Sequence, residues 1–263
     1  MTAPQTPSPS LARAIPTRPW RWVPWLLASQ GGVAGLWWWQ GWMLGLPLML
    51  ASHALFVVPV FLPNTAFYAP VLSRLPKPGN RIWLTIDDGP SDDTPALLDL
   101  LDRHDAQATF FMVGERAAAR PELVREVLRR GHSLGNHSHS HPQGRFWALG
   151  PAAMAREIDQ CQQALAAIAG APPRWYRSVV GMTNPFVAAP LRAHGLARVG
   201  WSARGFDGVA CEPGQVVGRI VADLRPGAIV LLHEGSGHGH NLRIIEAVLQ
   251  AARERGLVAR LPG

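Results

Sequence analysis

The sequence predicts an α/β fold, a parallel sheet open or closed into a barrel, preceded by an N-terminal helical transmembrane hairpin. Three observations predict it. No Asp, Glu, Lys or Arg occurs between Arg21 and Arg74. From residue 81 onward, short apolar strand-like runs alternate with amphipathic helix-like runs. The residues suited to chemistry stand where strand-like runs end, the place where parallel α/β folds put their sites.

Charge follows the same division. All 18 acidic residues lie from Asp87 onward. The first 78 residues carry five Arg or Lys and no acid, and the remainder is nearly balanced. This is not the dense basic face of a nucleic-acid binder; it suits cations beside anionic lipid headgroups. Residues 1–20, rich in proline, read as a disordered basic tail. Residues 21–78 read as a membrane segment with two spans, about 23–43 and 46–62, followed by a linker. Trp20, Trp22 and Trp25 flank the start of the first span, and Trp37, Trp38, Trp39 and Trp42 its end, as aromatic belts would. Gly41, Gly45 and Pro47 can turn the chain between the spans. Arg13, Arg18 and Arg21 precede the run, while Arg74, Lys77 and Arg81 follow it. The positive-inside rule then puts both ends, and residues 79–263, on the cytoplasmic side. A single span plus an interfacial segment, consistent with Pro59, Pro63 and Pro70, would reverse this and face the domain outward.

Beyond residue 79 the elements follow in order. Arg81–Ile86 is a strand, and Asp92–Asp105 a helix capped by Asp93 or Thr94 with Pro95 in its first turn. Ala108–Val113 is a strand, and Pro121–Arg130 a helix closed by Gly131. Ser133–Asn136 is a strand end and Pro151–Ala169 a long Ala-rich helix. Arg174–Arg177 and Ala197–Trp201 are short strands around a helix at Asn184–His194, capped by Asn184. Pro213–Leu224 is a helix, Ala228–Leu232 an apolar strand, Asn241–Arg255 a helix and Leu257–Leu261 a last strand. Cys161 and Cys211 form no CxxC pair, so a cysteine zinc site is not expected; they read as two small thiols, a disulfide being unsupported.

Asp87 and Asp88 end the first strand and lead into Gly89-Pro90, where the backbone can turn both carboxylates into one cleft. His137 and His141, at i and i+4, project together if they lie on a helical turn; His139 between them is solvent-facing or structural. Two imidazoles and the Asp88 carboxylate make three ligands with positions left open, the arrangement of a catalytic divalent metal. Zinc heads the candidates, with Co, Ni, Fe or Mn as alternatives. His233 ends the most apolar strand and is available as a general acid.

Together these residues resemble the polysaccharide deacetylases, carbohydrate esterase family 4, over about Arg81 to Leu257. Thr85–Pro90 resembles the family's first motif, His132–Pro142 its second and Gly227–Glu234 its fifth. The resemblance implies a distorted (β/α)7 barrel and a metal-dependent hydrolase that removes an N-acyl group from an amino sugar. It implies Asp87 as general base and His233 as general acid, with Asp88, His137 and His141 on the metal. Arg177 would hold the base, Asp207 would orient His233, the Val180 N–H would meet the oxyanion, and Leu231 would line the acyl pocket. Departures stand beside these matches. The third motif reads Arg177-Ser178-Val179-Val180 where the family has Arg-Pro-Pro-Tyr or similar. In the fourth, Arg204 replaces the first Asp and Gly208 the Trp after the second. The sugar groove is therefore expected to be remodelled. The substrate class is an N-acylated sugar of a glycan or a lipid-linked saccharide, with a lipid-linked aminosugar deformylase or a retired glycan-binding membrane module as alternatives. No protein partner follows from the sequence.

Overall fold

The computed structural model describes residues 13–76, 78–209 and 212–262. Two helices come first: α1, Val23–Gln40, and α2, Trp42–Phe61. Of the residues expected to turn the chain, Gly41 alone does so, with φ 81° and ψ 178°. Gly45 and Pro47 fall inside α2. The helices fold back on each other through Ser29 Oγ and Gln30 Nε2, both of which meet Ser52 Oγ. Gly45 lies against the Trp37 ring, where a Cβ would be 2.3 Å from the indole. Among the described residues, α2 alone is long and apolar enough to cross a membrane. The expected first span, α1, is 18 residues long and carries Gln30, Gln40 and Ser29.

The remainder is a parallel sheet wrapped by helices. Its strands are β1, Arg81–Gly89; β2, Ala108–Met112; β3, Ser133–Asn136; β4, Trp175–Tyr176; β5, Ala197–Arg198; β6, Ala203–Arg204; β7, Ile229–His233; and β8, Val258–Ala259. The order is β5-β4-β3-β2-β1-β7-β6, with β8 paired to the start of β1. All these pairings are parallel, giving a half-barrel of the distorted (β/α)7 type. The helices between strands are α3, Thr94–Arg103; α4, Gly114–Ala119; α5, Pro121–Arg129; α6, Pro151–Ala169; α7, Ala188–Ala193; α8, Pro213–Asp223; and α9, Asn241–Glu254. The apolar runs of β1, β2 and β7 are buried because helices cover the sheet, the usual reason parallel strands read as continuous hydrophobic stretches.

Several expectations are corrected. The helix expected at Asn184–His194 starts at Ala188. Asn184 instead turns its amide to the carbonyls of Phe146, Trp147 and Leu149, and accepts from the Phe186 N–H. Such side-chain bonds compete with helix formation. Asp93 stands at the N-cap of α3, but neither its side chain nor that of Thr94 makes a cap hydrogen bond to the helix. Thr94 Oγ1 accepts from the Ser91 N–H, and Asp93 Oδ2 from the Gly235 N–H. Helix α4 and strand β6 were not anticipated. Within the expected tail, Ala14 is buried and its carbonyl accepts from the Arg198 N–H at 3.2 Å; residues 1–12 lie outside the described residues. Cys161 is a buried free thiol, and Cys211 lies outside the described residues.

The helical pair is fastened to the sheet domain. Trp22 packs on Tyr68 and Phe186, and Phe61 on Trp147. The Thr183 N–H donates to Val60 O at 2.8 Å. Asn64 holds both backbone groups of Trp201, donating to its carbonyl at 2.9 Å and accepting from its N–H at 3.1 Å. The contact is so close that a Cβ on Gly200 would sit 1.9 Å from Asn64 Oδ1. Leu72 then bridges to Val199 and Arg74 to Ala228.

Candidate active site

The two adjacent carboxylates reach one cleft because β1 bulges. Its register with β2 shifts between Asp87 and Gly89, and Asp88 takes φ 72°. A flat strand would send successive side chains to opposite faces; the bulge re-aims the second. Asp87 is buried and its Oδ1 accepts from Arg177 Nη1 at 2.7 Å. Arg177 leaves the end of β4 fully committed. It also donates to Thr85 Oγ1 and to the Val199 and Gly200 carbonyls, and its guanidinium lies 4.3 Å from the Phe111 ring centroid. Burial pulls its pKa down and Asp87 opposes the shift. Breaking one side of such a buried pair costs about 3–5 kcal/mol, because the other charge is stranded.

The histidines do not lie on a helical turn, which corrects the sequence reading. They sit on the loop after β3, where Ser138 and His141 have φ of 68° and 52°. Asn136 Oδ1 accepts from the Ser138 N–H, and Ser138 Oγ from the His141 N–H. From α6, Glu157 accepts from the N–H groups of His139 and Ser140 and from the Ser140 hydroxyl. His139 is structural: its ring packs against Gly114, where a Cβ would meet Nδ1 at 2.5 Å. His137 Nδ1 faces the Arg177 carbonyl at 2.9 Å, which can only accept, so Nε2 is left as the lone-pair nitrogen.

Nε2 of His141 and of His137 lie 3.0 and 3.5 Å from Asp88 Oδ1. The three ligand atoms fall within 4.8 Å of one another. Asp88 Oδ1 is buried with no hydrogen-bond partner. Burial would raise the Asp88 pKa, but His137 and His141 outweigh it and hold the carboxyl well below its usual range. Burial would likewise lower the pKa of His137, and Asp87 and Asp88 push it up instead. Two imidazole nitrogens and one carboxylate oxygen this close together are a donor set that fits a divalent cation once both imidazoles are neutral.

His233 ends β7, opposite Asp87 in the β1 register. Its Nδ1 meets Asp207 Oδ1 at 3.0 Å and its backbone N–H donates to Asp207 Oδ2 at 2.7 Å. Burial would lower the His233 pKa; the Asp207 carboxylate, with Asp87 and Asp88, raises it to about 9. Glu234, next in sequence, points away to Ser91 and Thr94 and serves as a structural clamp.

The cleft above these groups, about 90 Å³, is lined by Leu231 and Val180, and also by Gln143, Trp201, Arg204 and Phe206. Val180 holds φ 54°, a costly conformation for a β-branched residue, and its side chain is exposed. The residues singled out in the sequence as candidates for catalysis, metal binding and substrate binding therefore lie at one end of the sheet. Trp201 and Asn136 were within reach of the same strand-end reasoning; Asn64 and Glu157 had no such signal.

Known proteins show the same arrangement of chain. The polysaccharide deacetylase profile matches residues 74–199. A chitooligosaccharide deacetylase of Bradyrhizobium sp. (strain ANU 289) is 35% identical over 183 residues, 69% of this chain and 83% of that protein. The peptidoglycan-N-acetylglucosamine deacetylase PgdA of Listeria monocytogenes is 36% identical over 159 residues, 60% of this chain but 33% of its own length. The structure of a family 4 carbohydrate esterase from Streptomyces lividans in complex with acetate superposes with a TM-score of 0.64 at 32% identity, covering 70% of this chain and 93% of that one. The chain belongs to the polysaccharide deacetylase family, hydrolases that act on amide bonds.

Proposed function

We propose that this protein is a divalent-metal-dependent deacetylase of an N-acetylated amino sugar, of the chitooligosaccharide or peptidoglycan type. The observation that carries the reading is one cleft in which three metal-type ligands stand between a carboxylate held by Arg177 and an imidazole held by Asp207. Asp88, His137 and His141 would hold the ion, with zinc or cobalt favoured by a donor set of two imidazoles and one carboxylate. Bound there, it would supply Lewis acidity to the amide carbonyl and acidity to the attacking water.

The residues of the chain do the rest. Arg177 holds the Asp87 carboxylate beside the cleft, so Asp87 can take a proton from the attacking water. The Val180 backbone N–H adds a dipole toward the developing oxyanion, and Leu231 walls the acyl methyl. His233, protonated at neutral pH, gives its proton from Nε2 to the leaving amine while Asp207 fixes Nδ1. Acetate and a free amino sugar result.

We further read residues 21–78 as a membrane segment, residues 79–263 as the catalytic domain, and the preferred substrate as lipid-linked. The support is the apolar α2 and its attachment beside the cleft through Val60 and Asn64. Arg residues on both flanks favour a cytoplasmic face for the domain; labelling of single engineered surface cysteines in intact and opened cells decides the side.

The decisive experiment is release of acetate and formate by detergent-purified protein from soluble and lipid-linked N-acyl sugars, with Zn²⁺ or Co²⁺ and with chelator. Metal-dependent acetate release supports the reading, and preferential formate release would make it a deformylase. A filled metal site without release from any substrate would leave a glycan-binding module, and no bound metal would overturn the site itself.

A further inference from the structure

We infer that Arg204 forms an oxyanion subsite at the rim of the cleft, so that the favoured substrate is an N-acylated sugar carrying a phosphate or carboxylate. The inference rests on the proposed deacetylase reading and names its substrate class. Arg204 ends β6 and pairs in register with Leu231, two residues before His233. Its side chain lines the same cleft as Asp88, His137, His141 and His233. The guanidinium carbon lies 4.2 Å from the Phe206 ring centroid and 5.1 Å from that of Trp201. Two aromatic faces hold the plane of the cation and shield it from water.

The other buried arginines are spoken for. Arg177 pairs with Asp87, and Arg198 donates to the Thr65 and Ala69 carbonyls. Arg204, by contrast, forms no ion pair among the described residues, and its Nε is buried without an acceptor. Arginine does not escape by losing its proton, so a half-shielded, planar set of donors remains at the rim. Such a fork matches the two oxygens of a phosphate or carboxylate. The neighbouring loop carries no side chain at this point: Gly208 is exposed, and even a Cβ there would crowd the His233 ring at 3.3 Å. The cleft takes little more than an acyl group, so the rest of the sugar must lie at this rim.

A bland role is also defined. Arg204 could merely offset the charges of Asp87 and Asp207, in which case its loss would damage every substrate alike. The test therefore reads a ratio. Acetate release is measured on N-acetylglucosamine 1-phosphate, N-acetylmuramic acid and neutral N-acetylglucosamine disaccharide, with wild type, Arg204→Gln and Arg204→Lys. The anionic-to-neutral ratio of kcat/KM should fall by about tenfold or more in Arg204→Gln, with Arg204→Lys between. Preference for the phosphate or for the carboxylate identifies the source of the anion. A ratio unchanged by Arg204→Gln, or a wild type that prefers the neutral sugar, overturns the subsite while leaving the deacetylase reading standing. If no substrate is turned over, the deacetylase reading fails separately, and binding decides the subsite. Calorimetric titration of N-acetylglucosamine 1-phosphate into Asp87→Asn and Asp87→Asn/Arg204→Gln proteins should show about tenfold or greater weakening in the second; equal affinities overturn the inference.

Discussion

The helical pair and the sheet domain are built for opposite surroundings. On the helical pair, Trp38 is 92% exposed, and Trp25, Trp39 and Met43 are 74%, 77% and 76% exposed. In the sheet domain Arg177 is 1% exposed, Asp87 3% and Asp207 0%. One region leaves apolar rings outside, the other draws charges inside. Exposed apolar surface on this scale marks a contact with another apolar surface, a membrane or a protein, whereas buried charge needs a full complement of partners. The lesson is that the two regions fail differently: the first by losing what covers it, the second by losing a single partner.

The largest effect should come from the second kind of failure. Asp87→Asn should lower acetate release by about 10²–10⁴-fold, as for loss of a general base, while metal analysis still finds the ion. Retained turnover would remove Asp87 from its role. Asp88→Ala should instead empty the metal site, so that metal content and activity fall together and added Zn²⁺ or Co²⁺ restores neither at ordinary concentration.

Asp207→Asn tests the charge that raises His233. In the proposed mechanism the acid form of His233 is the active one, so kcat/KM should fall as pH rises through about 9 in the wild type. Without the Asp207 carboxylate, burial dominates and the alkaline limb should move to lower pH, with a loss of about 10-fold or more at neutral pH. An unmoved limb would assign that ionisation elsewhere.

Smaller effects probe the junction. Asn64→Ala removes both bonds to Trp201, and through Gly200 loosens one of the carbonyls that hold Arg177. Leaving the Trp201 N–H and carbonyl without partners costs about 1–3 kcal/mol, read as a lower melting temperature together with a several-fold drop in kcat. Full activity in Asn64→Ala would make the helical pair a detachable tether. Smallest for catalysis is Leu50→Arg on the exposed face of α2. A central charge costs about 2.5–3.5 kcal/mol on insertion, so membrane recovery should fall in fractionation while turnover of a soluble sugar is kept.

The parallel α/β pattern was legible because its causes are local. Apolar runs such as Ala228–Leu232 and Ala108–Val113, proline at helix starts and glycine at ends state their structure within a few residues. Asn184 misled for the same reason: its amide is a good cap, but three carbonyls from residues 146–149 compete for it. The histidine pair was legible as a metal motif by type and spacing, yet the helical turn assigned to it was wrong. Its shape comes from Asn136 and Glu157, one of them on a helix that arrives only on folding.

By itself, the sequence determined the identity and order of the chemistry: two carboxylates at a strand end, two imidazoles after the next-but-one strand, an arginine, an acid and a final histidine. It also determined the charge-free N-terminal stretch. The tertiary structure alone decided that a bulge turns Asp88 beside Asp87, that Asn64 is stapled to Trp201, and that Arg204 lies between two aromatic rings at the rim. The reason is physical. Periodicity and end signals are energies between near neighbours in sequence, whereas the β1–β2 register that defines the bulge, the Asn64–Trp201 pair and the placement of Arg204 beside Leu231 join segments far apart in sequence that meet only once the sheet has formed.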